Sequence, residues 1–259
     1  MPTRLGQNFL IDPKIAENMV KNADLSRSDN VLEIGPGRGI LTKYLLKKAG
    51  KVLAVEIDKD LIASLEKELK SQKNIALSES DILKINLPQL LEKNDFKKYK
   101  VVANLPYYIT SKIIRLLLET KYPPSEMVLM VQKEVGERIC APKGKESILS
   151  ISVKFYADPE ILFSVPRENF DPIPEVDSAV IHLTRKKNTP QADASEFFSL
   201  VRAGFCAKRK MISNNLSASF HIPKARLWEW LKSAGIEPTQ RAQELTLADW
   251  IRLYEKWKD

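Results

Sequence analysis

Cysteine and histidine are nearly absent: two of each occur among 259 residues. Cys140 and Cys206 lie far apart and form no Cys-x-x-Cys pair, which excludes a disulfide framework and a thiolate zinc site. His182 and His221 are isolated, so histidine acid–base chemistry and a His-rich metal site lack the residues they need, and no metal is expected. No apolar stretch is long enough to span a bilayer, and Met1 to Leu10 lacks the hydrophobic segment of a secretory signal. A cytoplasmic protein without membrane contact is the expectation. Internal repeats and low-complexity tracts are missing too, and a composition 44% hydrophobic and 29% charged belongs to a chain that buries a sizeable core.

What the chain does have is positive charge, unevenly placed. The net charge is +8, yet residues 1 to 184 carry only +2 of it, and residues 185 to 259 carry 14 Lys and Arg against 8 Asp and Glu. A basic tail of this kind suits a polyanionic partner, because each cation that reaches a phosphate releases condensed counterions. A solvated surface accounts for so modest an excess equally well.

The order of apolar patterns gives the architecture. Val31 to Ile34, Val52 to Ile57, Ile75 to Leu77, Val101 to Ala103 and Met127 to Val131 are short apolar runs that read as buried parallel strands. Between them, Leu41 to Ala49, Leu61 to Leu69 and Ser111 to Thr120 repeat apolar residues at helical spacing. That alternation predicts an α/β fold with a Rossmann-like doubly wound sheet over residues 1 to 184. Ala179 to Leu183 reads as a late strand, and Lys186 to Ser195 as a linker. Beyond it, Phe197 to Phe205, Leu227 to Ala234 and Leu247 to Trp257 predict a small α-helical, basic domain over residues 185 to 259. Residues 147 to 165 carry no decisive pattern.

The first strand runs into Gly35-Pro-Gly37-Arg-Gly39, a turn whose missing side chains let a ligand approach the backbone. A structural turn would use such glycines as well. The second strand, however, ends at Glu56, where a carboxylate can accept hydrogen bonds from ribose hydroxyls, and the pair indicates an adenosine-containing cofactor. The spacing is GxGxG, whereas GxGxxG suits a pyrophosphate at a helix N-terminus, so S-adenosylmethionine is favoured over NAD. Asp81, after the third strand, can accept from the adenine amine, although the same residue would serve as a helix cap.

The fourth strand leads into Asn104-Leu105-Pro106-Tyr107 at the edge where α/β domains carry their chemistry. These residue types suit an amine acceptor. An adenine amino nitrogen is a weak nucleophile because its lone pair is delocalised into the ring. The Asn104 amide oxygen and the Leu105 carbonyl can accept its two hydrogens and draw the lone pair out of conjugation, leaving proximity and alignment to do most of the rest. Pro106 stiffens the turn, and Tyr107 offers a ring on which the base can stack. Phe170-Asp-Pro-Ile-Pro-Glu-Val-Asp-Ser178 is expected to hold Phe170 out as a second stacking surface for a flipped adenine, though a buried aromatic on a structural loop fits the motif equally.

Taken in order, Gly6-Gln-Asn-Phe-Leu10, Glu33-Ile-Gly-Pro-Gly37, Asn104 to Tyr107 and Phe170 to Ser178 resemble the motifs of the ribosomal RNA adenine dimethyltransferases, and the resemblance spans nearly the whole chain. It implies S-adenosylmethionine as cofactor, held by Asn8, Leu10, Gly35, Gly37, Glu56, Asp81 and Asn104, with Asn104, Leu105, Pro106, Tyr107 and Phe170 at the reacting base. Asn8 and Leu10 follow from the resemblance alone, and they also read as the approach to a helix capped at Asp12-Pro13. The small-subunit (16S) branch is the closer match. Val176-Asp-Ser178 has Asp where the large-subunit resistance enzymes usually have Asn, and Phe205 to Leu216 with Arg241 to Leu247 resemble the C-terminal domain of the small-subunit branch. That branch implies a monomer that dimethylates two adjacent adenosines in a hairpin loop near the 3′ end of 16S RNA within a small-subunit particle. Two departures stand out: Ala207-Lys208 replaces the usual Gln-Arg, and Pro142 to Ser150 lacks a Tyr-Gly pair.

Lys208, Arg209 and Lys210 are the candidate RNA contacts, with Asn214 and Asn215 nearby; Arg209 is favoured because its planar fork matches a phosphate oxygen pair. Three rival readings remain from the sequence: a large-subunit (23S) methyltransferase conferring macrolide-type resistance, a non-catalytic RNA-binding assembly factor, and a nicotinamide-dependent oxidoreductase. The intact Asn104 to Tyr107 motif argues against the second, and the third lacks a hydride-transfer group near the glycine turn.

Overall fold

The computed structural model describes residues 7 to 258, with the side chain of Lys258 left out; Gly6 of the N-terminal motif lies outside the described residues. Strands β1 (Phe9–Leu10), β2 (Asn30–Ile34), β3 (Lys51–Glu56), β4 (Ile75–Glu79), β5 (Lys100–Asn104), β6 (Glu126–Gln132), β7 (Ala157–Val165), β8 (Phe170–Asp171) and β9 (Ser178–Arg185) alternate early in the chain with helices. These are α1 (Pro13–Asn22), α2 (Ile40–Lys48), α3 (Lys59–Glu68), α4 (Leu87–Asn94), α5 (Thr110–Glu119), α6 (Lys133–Ile139) and α7 (Ile148–Tyr156), followed by α8 (Ala194–Gly204), α9 (Ile212–Phe220), α10 (Lys224–Ser233) and α11 (Leu247–Lys258). Local chemistry sets several starts. The Asp12 carboxylate accepts from the Lys14 amide with Pro13 in the first turn of α1, and Asp58 caps α3 by accepting from the amides of Asp60 and Leu61.

Seven strands form one sheet in the order β4-β3-β2-β5-β6-β9-β7, and β1 pairs separately with β8. The pairs β3/β4, β2/β3, β2/β5 and β5/β6 are parallel, and β9 runs antiparallel to β6. The continuous apolar runs follow from burial on both faces: Val31, Leu32, Val52 to Val55, Val101 to Ala103 and Met127 to Val131 are all buried. From β2 the chain builds outward through β3 to β4, then returns to lay β5 on the other side of β2. Strand order therefore reverses between β2 and β5, and an α/β sheet opens a crevice beyond the carboxyl ends of its strands at such a point.

The chain divides into two compact units, one holding residues up to Gly136 with Pro159–Arg185, the other Glu137–Asp158 with Lys186 onward. The expectation of an uninterrupted domain over residues 1 to 184 is thus corrected: residues 137 to 158, including α7, belong with the helices of the second unit. The cause is packing. Phe155 of α7 lies with its ring centroid 4.9 Å from that of Phe197 and 5.2 Å from that of Phe198, and Ile151 joins the same core. Within this unit Trp250 is fully buried against Gly204, where a Cβ would stand 2.3 Å from its ring, so only glycine fits. Helix α9 had no strong sequence pattern. Asn215 is buried there and donates to the carbonyls of Gly204 and Ala207 at 2.6 and 3.0 Å, which ties α9 to the end of α8.

Candidate methyl-transfer site

One cavity of about 270 Å³ opens at the carboxyl edge of β2 to β5, near the lower end of the ~300–1,000 Å³ common for small-molecule sites. Asn8, Leu10, Gly35, Gly37, Glu56, Asp81, Asn104, Leu105, Pro106 and Tyr107 all line it. Residues separated by almost a hundred positions in sequence are thus brought to one crevice by the reversal of strand order.

The glycine turn is held from two sides. The Gly35 amide donates to the Val55 carbonyl at 2.9 Å, and the Gly37 amide donates to Glu56 Oε2 at 3.2 Å. Gly37 has φ of 57°, a conformation that favours glycine, and a Cβ there would press on the Phe9 ring at 3.0 Å. Glu56 is 3% exposed, and its Oε1 accepts from the amides of Ile57 and Asp58 at 2.9 and 3.1 Å. A carboxylate offers about four acceptor positions, so Oε2 is the end that retains capacity for a ligand hydroxyl. Asp81 plays two parts. Its Oδ1 accepts from the Leu83 amide at 2.9 Å and its Oδ2 lies 3.5 Å from Lys84 Nζ, so it caps a turn, as its alternative reading held, while still facing the cavity.

Asn104 ends β5 with its Oδ1 buried and without a hydrogen-bond partner. A buried amide oxygen left unmatched is costly unless a bound group completes it. The turn that follows is fixed by the Leu105 amide donating to the Met130 carbonyl at 3.0 Å, and by the Pro106 carbonyl, which accepts from Ile109 N and Thr110 Oγ1. Tyr107 is partly buried, and its hydroxyl lies 2.6 Å from Ser178 Oγ. Burial pushes the Tyr107 hydroxyl above its ordinary pKa, against the lowering effect of Ser178, so it stays protonated. Tyr107→Phe is expected to keep most of the turnover while lowering stability by about 1–3 kcal/mol, because buried Ser178 loses its partner. Thermal unfolding beside single-turnover methylation checks both halves.

Phe170 is placed differently from the expectation that two prolines hold it out. It is 1% exposed in the core beside Leu10 and Val165, and its backbone pairs with Leu10 in the β1/β8 ribbon. In this structure Phe170 does not line the cavity. The aromatic ring at the mouth is Tyr108, 65% exposed and beside Tyr107, which the sequence motif did not single out. Phe9 was also missed; the Arg38 guanidinium sits 4.4 Å from its ring centroid and reaches Asp171 at 2.9 Å, tying the glycine turn to β8. Lys208, Arg209 and Lys210 lie in the turn between α8 and α9, all exposed. Asn215 is turned inward and is removed from the proposed phosphate contacts.

Among the described residues no group of His, Cys, Asp and Glu could hold a metal ion, and no helix is long and apolar enough to cross a membrane. A family model described as ribosomal RNA adenine dimethylase matches residues 1–259. The chain belongs to that family. It is an S-adenosylmethionine-dependent enzyme that methylates adenine in ribosomal RNA. The chain is similar to the ribosomal RNA small subunit methyltransferase A of Dehalococcoides mccartyi, 44% identical over 251 residues, which cover 96% of this chain and 86% of that one. It is 43% identical over 258 residues to the protein of the same name from Lachnoclostridium phytofermentans, covering 96% and 89% of the two chains. Among solved structures, a dimethyladenosine transferase from Plasmodium falciparum matches at a TM-score of 0.85 and 28% identity, covering 96% of this chain and 97% of that one. The 23S rRNA methyltransferase ErmE matches at 0.78 and 28%, covering 97% and 100%.

The residues present fit the family's cofactor. The unmatched Asn104 oxygen, the glycine at position 37 and the carboxylates of Glu56 and Asp81 on one cavity supply acceptors for an amine, an amide-lined approach and acceptors for a nucleoside.

Proposed function

We propose that this family member dimethylates the N6 amines of two adjacent adenosines in a hairpin loop near the 3′ end of small-subunit (16S) ribosomal RNA, acting as a cytoplasmic monomer on the small-subunit particle. The observation that carries the reading is the buried, unmatched Asn104 Oδ1 on the cavity that Glu56 also lines. The choice of the small subunit is supported by the 44% and 43% identity to relatives named for that subunit, against 28% to ErmE.

When bound, the cofactor supplies an electrophilic methyl group on a sulfonium. Glu56 would accept from its ribose, Asp81 from its adenine amine, and Asn8 with Leu10 would hold it from the N-terminal side. Tyr107 stacks the extruded adenine. Asn104 Oδ1 accepts one hydrogen of the N6 amine and the Leu105 carbonyl the other, which brings the lone pair out of the ring plane. So aligned, the nitrogen would take the methyl group that the cofactor supplies, and the proton it sheds would pass to solvent. Asn104 is neutral, so its part is alignment and charge stabilisation, and no general base is needed.

Incubation with radiolabelled methyl donor and undermethylated small subunits tests this reading. Label is expected on two neighbouring adenosines of the small-subunit RNA. Label confined to large-subunit RNA would support the resistance branch, and binding to subunits without any label would support an assembly factor.

Arg209 and Lys210 are proposed to position the particle by holding phosphates, an interaction that carries no sequence information. Replacing both with alanine is expected to weaken binding to small subunits and to reduce the log–log salt slope by roughly one unit for each phosphate no longer neutralised, with cofactor affinity unchanged. Titrations at several salt concentrations check this; a parental slope removes the cluster from the RNA surface.

A further inference from the structure

Glu33 is the acid of the glycine-turn motif to which the methyl-transfer mechanism gives no role. It stands next to last on β2, is 1% exposed, and lines the same cavity as Glu56 and Asn104. Its Oε2 reaches no hydrogen-bond partner. The Thr42 hydroxyl of α2, fully buried, is close enough to act on it, yet Oγ1 completes no hydrogen bond of good geometry. The charged group that faces Glu33 is the Glu56 carboxylate of β3, which is already committed to three backbone amides. Arg38, the nearest cation along the chain, is turned away onto Phe9 and Asp171. Asn104, at the end of the other neighbouring strand β5, is neutral. A carboxyl so placed is neutral or must meet a cation, and among the described residues no cation of the protein is positioned to meet it.

We propose that Glu33 is a cofactor-binding residue that carries a proton in the free enzyme and releases it when the cationic methyl donor enters the cleft, so that its carboxylate then faces a positive charge of the ligand. The inference rests on the cofactor reading of this cavity. One proton passes to solvent for each molecule bound, and the positive charge that balances the carboxylate comes from the ligand's α-ammonium or its sulfonium.

Burial pushes the Glu33 carboxyl up to about 8, with Thr42 opposing the rise and the Glu56 charge adding to it. The sign follows. Below that value binding must first remove a proton, so affinity for S-adenosylmethionine rises with pH toward about 8, by at most about tenfold per unit. At pH 7 the free enzyme therefore holds this proton at most sites, and binding should release it.

Calorimetric titration of the whole enzyme with S-adenosylmethionine, at pH 7 in two buffers of different ionisation enthalpy, counts that proton. The ligand's α-amino group titrates in the same range, so Glu33→Gln supplies the baseline. The parent is expected to release close to one proton more than the variant, and the variant to bind more weakly with the pH rise lost. S-adenosylhomocysteine separates the two sources: release that persists assigns the ammonium, and release that vanishes assigns the sulfonium. Equal proton counts in parent and variant overturn the inference while leaving the cofactor site standing, whereas no binding of S-adenosylmethionine by the parent removes the cofactor reading beneath it. Difference infrared spectroscopy on the unsubstituted protein gives an independent readout if the variant misfolds. A protonated-carboxyl band lost on binding is expected, and no such loss refutes the assignment.

Discussion

Asn104→Ala is expected to reduce methyl transfer by a factor of about a hundred or more, equivalent to roughly 2.7–4 kcal/mol of transition-state stabilisation, while the protein remains folded. The fold should tolerate the change because Asn104 Oδ1 has no partner inside the protein, so its removal leaves no internal donor unmatched. The turn is fixed instead by the Leu105 amide on the Met130 carbonyl and by the doubly used Pro106 carbonyl. What is lost is the acceptor that orients the amine, and that loss acts in the transition state, where the nitrogen has left conjugation. Single-turnover methylation with saturating RNA and cofactor measures it, and the unfolding temperature confirms the fold. Near-normal turnover would place the activation of the amine elsewhere.

The parallel strands were legible because burial on both faces leaves an unbroken apolar run, and Val52 to Val55 or Met127 to Val131 admit no other reading between turn signals. The place of Glu56 and Asn104 on the cavity was legible for a related reason: each is a polar residue where such a run ends, at the carboxyl edge of the sheet. Helix α7 was not legible. Its sequence, ILSISVKFY, is rich in β-branched residues and short enough to read as either helix or strand, and its start depends on a capping box between Ser147 and Ser150. Its membership of the second unit comes from Phe155 meeting Phe197 and Phe198, which no local pattern encodes. Phe170 shows the same limit. Pro172 and Pro174 restrict the backbone, yet the direction of the ring is set by pairing with Leu10, some 160 positions earlier. Glu33 did leave a signal, an acid inside a buried strand two residues before a glycine turn, which reads as a buried carboxyl once β2 is recognised as an interior strand of the sheet.

Glu56→Ala is expected to weaken S-adenosylmethionine binding by about 10- to 150-fold, the equivalent of about 1.5–3 kcal/mol for one hydrogen bond to a charged acceptor. The effect should exceed removal of a ribose acceptor alone, because the same carboxylate organises the glycine turn on the cavity proposed to hold the ligand. Oε1 holds the amides of Ile57 and Asp58, and Oε2 holds the amide of Gly37. Alanine leaves those three donors without their acceptor, so the glycine turn loosens as the ribose acceptor disappears. Glu56→Gln separates the two contributions. With its oxygen toward Ile57 and Asp58 the glutamine keeps that half of the anchor, but its amide group then presents a donor to the Gly37 amide, and the glycine side of the turn is released. The glutamine variant should therefore retain more stability than alanine yet still bind the cofactor poorly, while its affinity for small subunits stays close to the parent's. Calorimetry with S-adenosylmethionine beside thermal unfolding resolves the two. A folded alanine variant with parental cofactor affinity would remove Glu56 from the ligand's contacts and leave it only its part in holding Gly37 against Phe9.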